Sequence, residues 1–175
     1  MNYKAEIKNG IDAMTQDNIV HIGYGLVTQG RAAGSLKSVS DSKIIETPVA
    51  ENLMLGLAIG MSLEGYLPVV YYERFDFIMN AMDALVNHLD KIEEISKGEF
   101  APKVIIRCVI GGKNSPFFTG VTHTQDFTKI MKDLLSFEVV KLGNIDSIKD
   151  TFINAVNSKS STMIIEEKDR YAENN

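Results

Sequence analysis

Glu51 is a carboxylate set at the opening of an otherwise apolar stretch, Thr47 to Gly65 (TPVAENLMLGLAIGMSLEG). Apolar surroundings discourage ionisation, and a carboxyl so placed can share a proton with a basic ligand atom. Taken alone, an acidic first turn is better explained by the helix dipole. Other groups with chemical capacity lie further on. Arg74 carries a fork of donors suited to an anion, although a pair with Glu73 or Asp76 accounts for it as well. Tyr72, Phe75 and Phe77 offer ring faces for stacking or for the core. His123 follows a glycine-rich segment, whereas His21 and His88 have no such context, and no two of the three histidines have metal-ligand spacing. Cys108, flanked by β-branched residues, reads as a buried, inert thiol.

The elements that must position these groups follow from periodicity. Thr47 as N-cap, Pro48 at the first helical position and no further proline before Pro68 predict a helix from Thr47 to Gly65. It is apolar almost all round, so it should be buried on most sides. Gly56 and Gly60 fall four apart on one of its faces, and each costs up to about 1 kcal/mol against alanine, which a close backbone approach would offset. Around it the chain reads helix (3–16), strand (19–22), a Gly- and Ser-rich loop (23–42) whose length suggests function or mobility, a brief strand at Ile44 and Ile45, and a strand from Leu67 to Tyr72. A helix (75–91), a strand (103–110) and a second long loop (111–125, with Pro116) come next. Helix (127–135), strand (137–141), helix (145–157) and strand (162–166) complete the alternation. The expected fold is α/β, a single doubly wound domain over residues 1–171 with a mainly parallel sheet of about six strands and helices on both faces. Residues 172–175 form a polar tail. Ligands of such a sheet sit beyond the carboxyl ends of the strands.

Composition narrows the function. With 175 residues, 45% hydrophobic and 23% charged, the chain fits one soluble domain with no apolar run of membrane-spanning length. A formal charge of -5 argues against a nucleic-acid partner. One cysteine and no apolar signal segment point to the cytoplasm.

The spacing E-x-x-x-x-G-φ-x-x-G-φ from Glu51 through Gly56 and Gly60 to Met61 resembles the pyrimidine-domain signature of thiamine-diphosphate enzymes. ETPVAE, GLAIGMSLEGYLPVV and FDFIMNAMDALVNHLDK extend that resemblance to the β subunit of 2-oxo-acid (pyruvate-type) dehydrogenases, over nearly the whole chain. The resemblance implies that Glu51 binds the cofactor's aminopyrimidine and drives its tautomer exchange, so that the imine can deprotonate the thiazolium. It further implies that Phe77, with Phe75 and Tyr72 close by, stacks on the pyrimidine, that His123 steers a substrate carboxylate or moves a proton, and that Gly56 and Gly60 pack subunits together. For Phe75 and Tyr72 the core is the better explanation.

The chain also departs from the family. Tyr24 and Gly25 replace acidic residues after the first strand's glycine, and Glu73 and Arg74 replace neutral residues after the third, with Arg74 a candidate for binding an anionic substrate. The GDG segment and later asparagine of a diphosphate-and-magnesium module are absent from the sequence. The expectation is therefore a split enzyme acting on a 2-oxo acid or related carbonyl compound: a homodimer of this chain within a hetero-oligomer, with magnesium on a GDG-containing partner subunit. The chain reaches about the point where relatives begin the linker to a C-terminal domain, which favours this reading over a dehydrogenase β subunit. The alternatives are that β subunit, a non-catalytic regulatory subunit keeping the fold, and a domain for an unrelated nucleotide. Retention of Glu51 disfavours the regulatory subunit, and GYGLVTQGRAAG lacks the spacing the nucleotide domain would need.

Overall fold

The computed structural model describes residues 2–28, 30–114 and 118–173. Six strands, β1 (Ile19–Gly23), β2 (Ile44–Glu46), β3 (Leu67–Tyr72), β4 (Ile105–Ile110), β5 (Glu138–Lys141) and β6 (Thr162–Glu167), form one sheet in the order β2-β1-β3-β4-β6-β5. Every pairing is parallel. Five helices join them: α1 (Tyr3–Asp12), α2 (Glu51–Leu63), α3 (Ile92–Ile95), α4 (Thr128–Leu134) and α5 (Ile148–Asn157). Strands buried on both faces must be apolar throughout, and β3 and β4 are buried at every position. One apolar layer lies against α2, α4 and the segment after β3, around Met54, Ile78, Leu85 and Ile106. The other lies against α1 and α5, around Ile7, Val69, Phe152 and Ile164.

Four expectations need correction. The helix begins at Glu51 rather than at Pro48, its N-cap is Ala50, and no side chain caps it. Thr47 instead prolongs the strand: its N–H donates to the Gly23 carbonyl at 3.0 Å, and its hydroxyl is buried without a partner among the described residues. Nor is α2 buried on most sides. Met54, Leu55, Ala58 and Ile59 face the core, while Leu53 and Leu63 are exposed, and beyond the helix's own backbone no described residue comes within 4 Å of a Cβ built on Gly56 or Gly60.

The segment after β3 is not a regular α-helix but a 3₁₀ run, Phe75–Ala81, followed by a π-helical run, Asp83–Leu89. Its buried residues Phe75, Ile78, Ala81 and Ala84 recur every third position, and three residues per turn is the winding that stacks such a row on one face. The long segment after β1 is anchored rather than loose, because Leu26 and Leu36 are fully buried in it. Within it Arg31, Ala32 and Ala33 hold φ of 54°, 49° and 56° between Gly30 and Gly34, a left-handed turn that costs L-residues about 1–2 kcal/mol each. Of the tail, Ala172 closes a 3₁₀ turn and Glu173 pairs with Arg170, while residues 174–175 and Pro116 lie outside the described residues. No helix among the described residues is long and apolar enough to cross a membrane.

Candidate functional site

From β1 the chain passes to β2 on one side and then to β3 on the other, so the strand order reverses between β1 and β3. Beyond the carboxyl ends of strands at such a reversal the connections diverge and leave a crevice. Here the crevice is a narrow cleft of about 50 Å³ lined by Tyr24 after β1, Tyr71, Tyr72 and Glu73 at the end of β3, Val49, Glu51 and Met54 around the start of α2, and Phe77. Ligand pockets usually span roughly 300–1,000 Å³, so this cleft is smaller than a typical one.

Glu51 is half-buried at the mouth of α2. Among the described residues its carboxylate has a single long contact, accepting from Asn80 Nδ2 at 3.4 Å, and its backbone carbonyl accepts from the Tyr72 hydroxyl at 3.0 Å. That hydroxyl bond ties the first turn of α2 to β3 and fixes where the carboxylate stands. Burial pushes the Tyr72 phenol above its ordinary range, so it remains a donor. At three residues per turn, Phe75 and Phe77 point about 120° apart around the Phe75–Ala81 run. Phe77 reaches the cleft, whereas Phe75 is fully buried and packs edge-on against Phe127 at 5.6 Å. Phe75 thus lies in the core and does not line the cleft, so of its two readings, core aromatic and stacking partner, the structure places it with the first.

His123 stands edge-on to Phe77 with ring centroids 5.2 Å apart, and its Nδ1 lies 2.9 Å from the Thr122 hydroxyl. Its backbone is seated against Gly111, where an added Cβ would meet the His123 carbonyl oxygen at 1.9 Å, so only glycine fits. Glu51, Phe77 and Tyr72 are brought together in the cleft, with His123 behind Phe77.

Arg74 does not line this cleft. It faces a neighbouring cavity of about 160 Å³ that shares Tyr24, Tyr71 and Glu73 with it and includes Lys168. One guanidinium nitrogen is paired with Glu73 at 3.0 Å, and Nε is buried without a partner among the described residues. Burial and the charge of Arg74 both lower the Lys168 ammonium from its usual range. Gly56 and Gly60 lie on the open face of α2.

Two contributors escape a reading of spacing. Glu46, the last residue of β2, accepts from the Gly25 and Val27 amides, each at 2.7 Å, and so holds the turn that carries Tyr24. Asn80 supplies the only side-chain contact to the Glu51 carboxylate among the described residues. Glu46 adjoins Thr47 and Pro48 in sequence, but its partners lie some twenty residues back, and no local pattern announces such a bond.

The chain spans 42% of the pyruvate dehydrogenase E1 component subunit beta of Rickettsia bellii (strain RML369-C), with 25% identity over 138 residues and 79% of this chain covered. Against the 2-oxoisovalerate dehydrogenase subunit beta of Pseudomonas aeruginosa it is 25% identical over 171 residues, covering 94% of this chain and 48% of that protein. Among solved structures, a split gene transketolase described as an inactive beta4 tetramer superposes with a TM-score of 0.70 over 95% of this chain and 50% of the other, at 14% identity, a likeness of fold. The family model for the transketolase pyrimidine binding domain matches residues 7–173, and the chain belongs to that family.

Proposed function

We propose that this chain is the pyrimidine-domain subunit of a split thiamine-diphosphate-dependent enzyme that acts on a 2-oxo acid or a related carbonyl compound. The observation that carries the reading is the convergence of Glu51 and Phe77 on one cleft at the reversal of strand order. The donor set fits the cofactor's aminopyrimidine. A carboxyl with spare hydrogen-bonding capacity meets a ring nitrogen, Phe77 gives the ring a face to lie on, and Val49 and Met54 supply an apolar wall. Bound there, the cofactor supplies a nucleophilic carbon for decarboxylation with acyl or aldehyde transfer.

Within that chemistry Glu51 holds and returns a proton at the ring nitrogen, and Tyr72 keeps the Glu51 backbone in place. His123 takes the substrate-side proton or steers a carboxylate. Arg74 binds an anionic group of the substrate. A second polypeptide with the diphosphate-and-magnesium module completes the cleft. The open face of α2, with Gly56 and Gly60, packs against a second copy of this chain. A cytoplasmic setting fits the single cysteine, Cys108, whose thiol burial pushes well above its usual range.

Calorimetric titration tests the division of the site. The purified chain with magnesium should bind thiamine diphosphate weakly or not at all, and a partner carrying the diphosphate module should restore binding. Submicromolar binding by the chain alone would contradict the reading. Sedimentation of the purified chain should show a homodimer, and a monomer would remove α2 from the interface.

A further inference from the structure

The cavity beside the cofactor cleft brings two cations together with too little negative charge to match them. Its walls come from four strands or the chain just after them: Tyr24 after β1, Tyr71 and Arg74 at the end of β3, Val109 on β4 and Lys168 after β6. The Arg74 guanidinium commits Nη1 to Glu73, donating to its carbonyl at 2.6 Å and its Oε1 at 3.0 Å. Among the described residues Nε is buried without a partner and Nη2 makes no hydrogen bond. Those two atoms form an edge of the guanidinium that can receive a carboxylate bidentately. The Lys168 ammonium likewise makes no ion pair or hydrogen bond among the described residues. The one carboxylate among them whose charge acts on it is Glu73, already paired with Arg74. Burial and the Arg74 charge depress that ammonium below its usual range, as expected of two cations held together short of a counter-ion.

Across the lining side chains one negative charge faces two positive ones, a balance that a monoanion completes and a phosphate dianion overshoots. At about 160 Å³ the cavity is smaller than pockets that hold whole ligands and takes one charged group on a short chain. Ala32 and Ala33, which also line it, hold positive φ, and strained backbone of this kind clusters at ligand clamps. Decarboxylation decides which carboxylate belongs here. The one that leaves as carbon dioxide gives up its charge on the way to the transition state, so pairing it with two cations would stabilise the ground state and slow the reaction. Such a pair of cations suits a group that the substrate keeps.

We propose that Arg74 and Lys168 form a carboxylate site, and that the substrate is a 2-oxo acid with a second carboxylate at its far end, seated here while its reacting end lies in the cleft. The substrate assignment rests on the thiamine-diphosphate reading above; the carboxylate site does not.

Amide ¹⁵N shifts of the purified chain, without cofactor or partner, test the site. Titration with glutarate should shift Gly25, Ala33 and Lys168 saturably, and Lys168→Gln and Arg74→Gln should each weaken binding by about 10-fold, as loss of a charged hydrogen bond does. Absence of saturable shifts, equal or tighter binding of inorganic phosphate, or unchanged affinity in either folded variant overturns the site. Turnover by the reconstituted enzyme tests the assignment: kcat/KM for 2-oxoglutarate should exceed that for 2-oxobutyrate, and Lys168→Gln should cut the ratio by about 10-fold. A preference for 2-oxobutyrate overturns the assignment alone. Turnover of neither acid, with the glutarate shifts intact, overturns the thiamine-diphosphate reading and the assignment with it, and leaves the carboxylate site standing.

Discussion

Two carboxylates of the same fold are treated in opposite ways. Glu166, on β6, is fully buried with both oxygens engaged: Oε1 accepts from Arg107 Nε and Nη2, each at 2.8 Å, and Oε2 accepts from the Tyr171 hydroxyl at 2.6 Å. Arg107 is in turn held between the rings of Tyr71 and Phe152, 4.9 and 5.7 Å from its guanidinium carbon. The Glu51 carboxylate, at the cleft, has one hydrogen bond among the described residues, at 3.4 Å. A carboxylate with both oxygens engaged in a sealed interior is a structural brace. One that is half-buried, with spare capacity beside an aromatic face, is equipped to exchange a proton with a ligand.

The contrast breaks most visibly under substitution. Glu51→Gln in the reconstituted enzyme should lower hydrogen–deuterium exchange at the reactive thiazolium carbon by about 10²- to 10⁴-fold, the usual worth of a positioned acid–base group. Stability should change by less than about 1 kcal/mol, because only a first-turn charge is lost. Equal exchange in variant and wild type would leave Glu51 as a helix-dipole residue and nothing more.

Arg107→Leu should do the reverse. Stranding the buried Glu166 charge costs about 3–5 kcal/mol, read as a fall in the urea midpoint. Adding Glu166→Leu should recover most of that loss. If the single variant unfolds at the wild-type midpoint, the pair is not the brace described.

How much of this was written in the sequence depends on the range of each interaction. Glu51, Gly56 and Gly60 share one helix, and their spacing is local, so periodicity finds them. The parallel sheet also follows from a local signal, the alternation of apolar runs with helical stripes. Phe75 and Phe77 stand two apart, and no pattern says which of them enters the core, since that depends on the 3₁₀ winding of the segment. The start of α2 was misplaced because Thr47 and Pro48 carry a strong capping pattern that a sheet hydrogen bond to Gly23 overrides. Arg107 lies within an apolar strand run, and its partner lies 59 positions away in the chain. Such a pair becomes legible only once β4 and β6 are known to be neighbours.

A third measurement uses a group that is neither brace nor catalyst. His21 is protonated in the unfolded chain below about 6.5 but in the folded chain only below about 3. Its contribution is therefore fully present above pH 6.5 and is lost as the pH falls through that window, by up to about 1.4 kcal/mol per unit. Denaturant titrations at pH 7 and 5 should show wild type losing about 1–2 kcal/mol more than His21→Phe. An identical acid dependence would mean that His21 titrates normally.

The smallest effect divides the two phenylalanines. Phe77→Leu keeps an apolar side chain in the cleft but removes the ring, and with it both a stacking face and the edge contact to His123. Stacking contributes about 0.5–1.5 kcal/mol, so cofactor affinity in the reconstituted enzyme should fall by roughly 2- to 12-fold while the unfolding midpoint hardly moves. Phe75→Leu removes a ring from the sealed core, where its loss opens space beside Phe127, so stability should drop by about 1–3 kcal/mol with affinity retained. Measuring both quantities for both variants makes the comparison internal to one segment of chain. If Phe75→Leu is the variant that weakens the cofactor, the winding of residues 75–81 is wrong, and the ring that meets the pyrimidine is the one assigned here to the core.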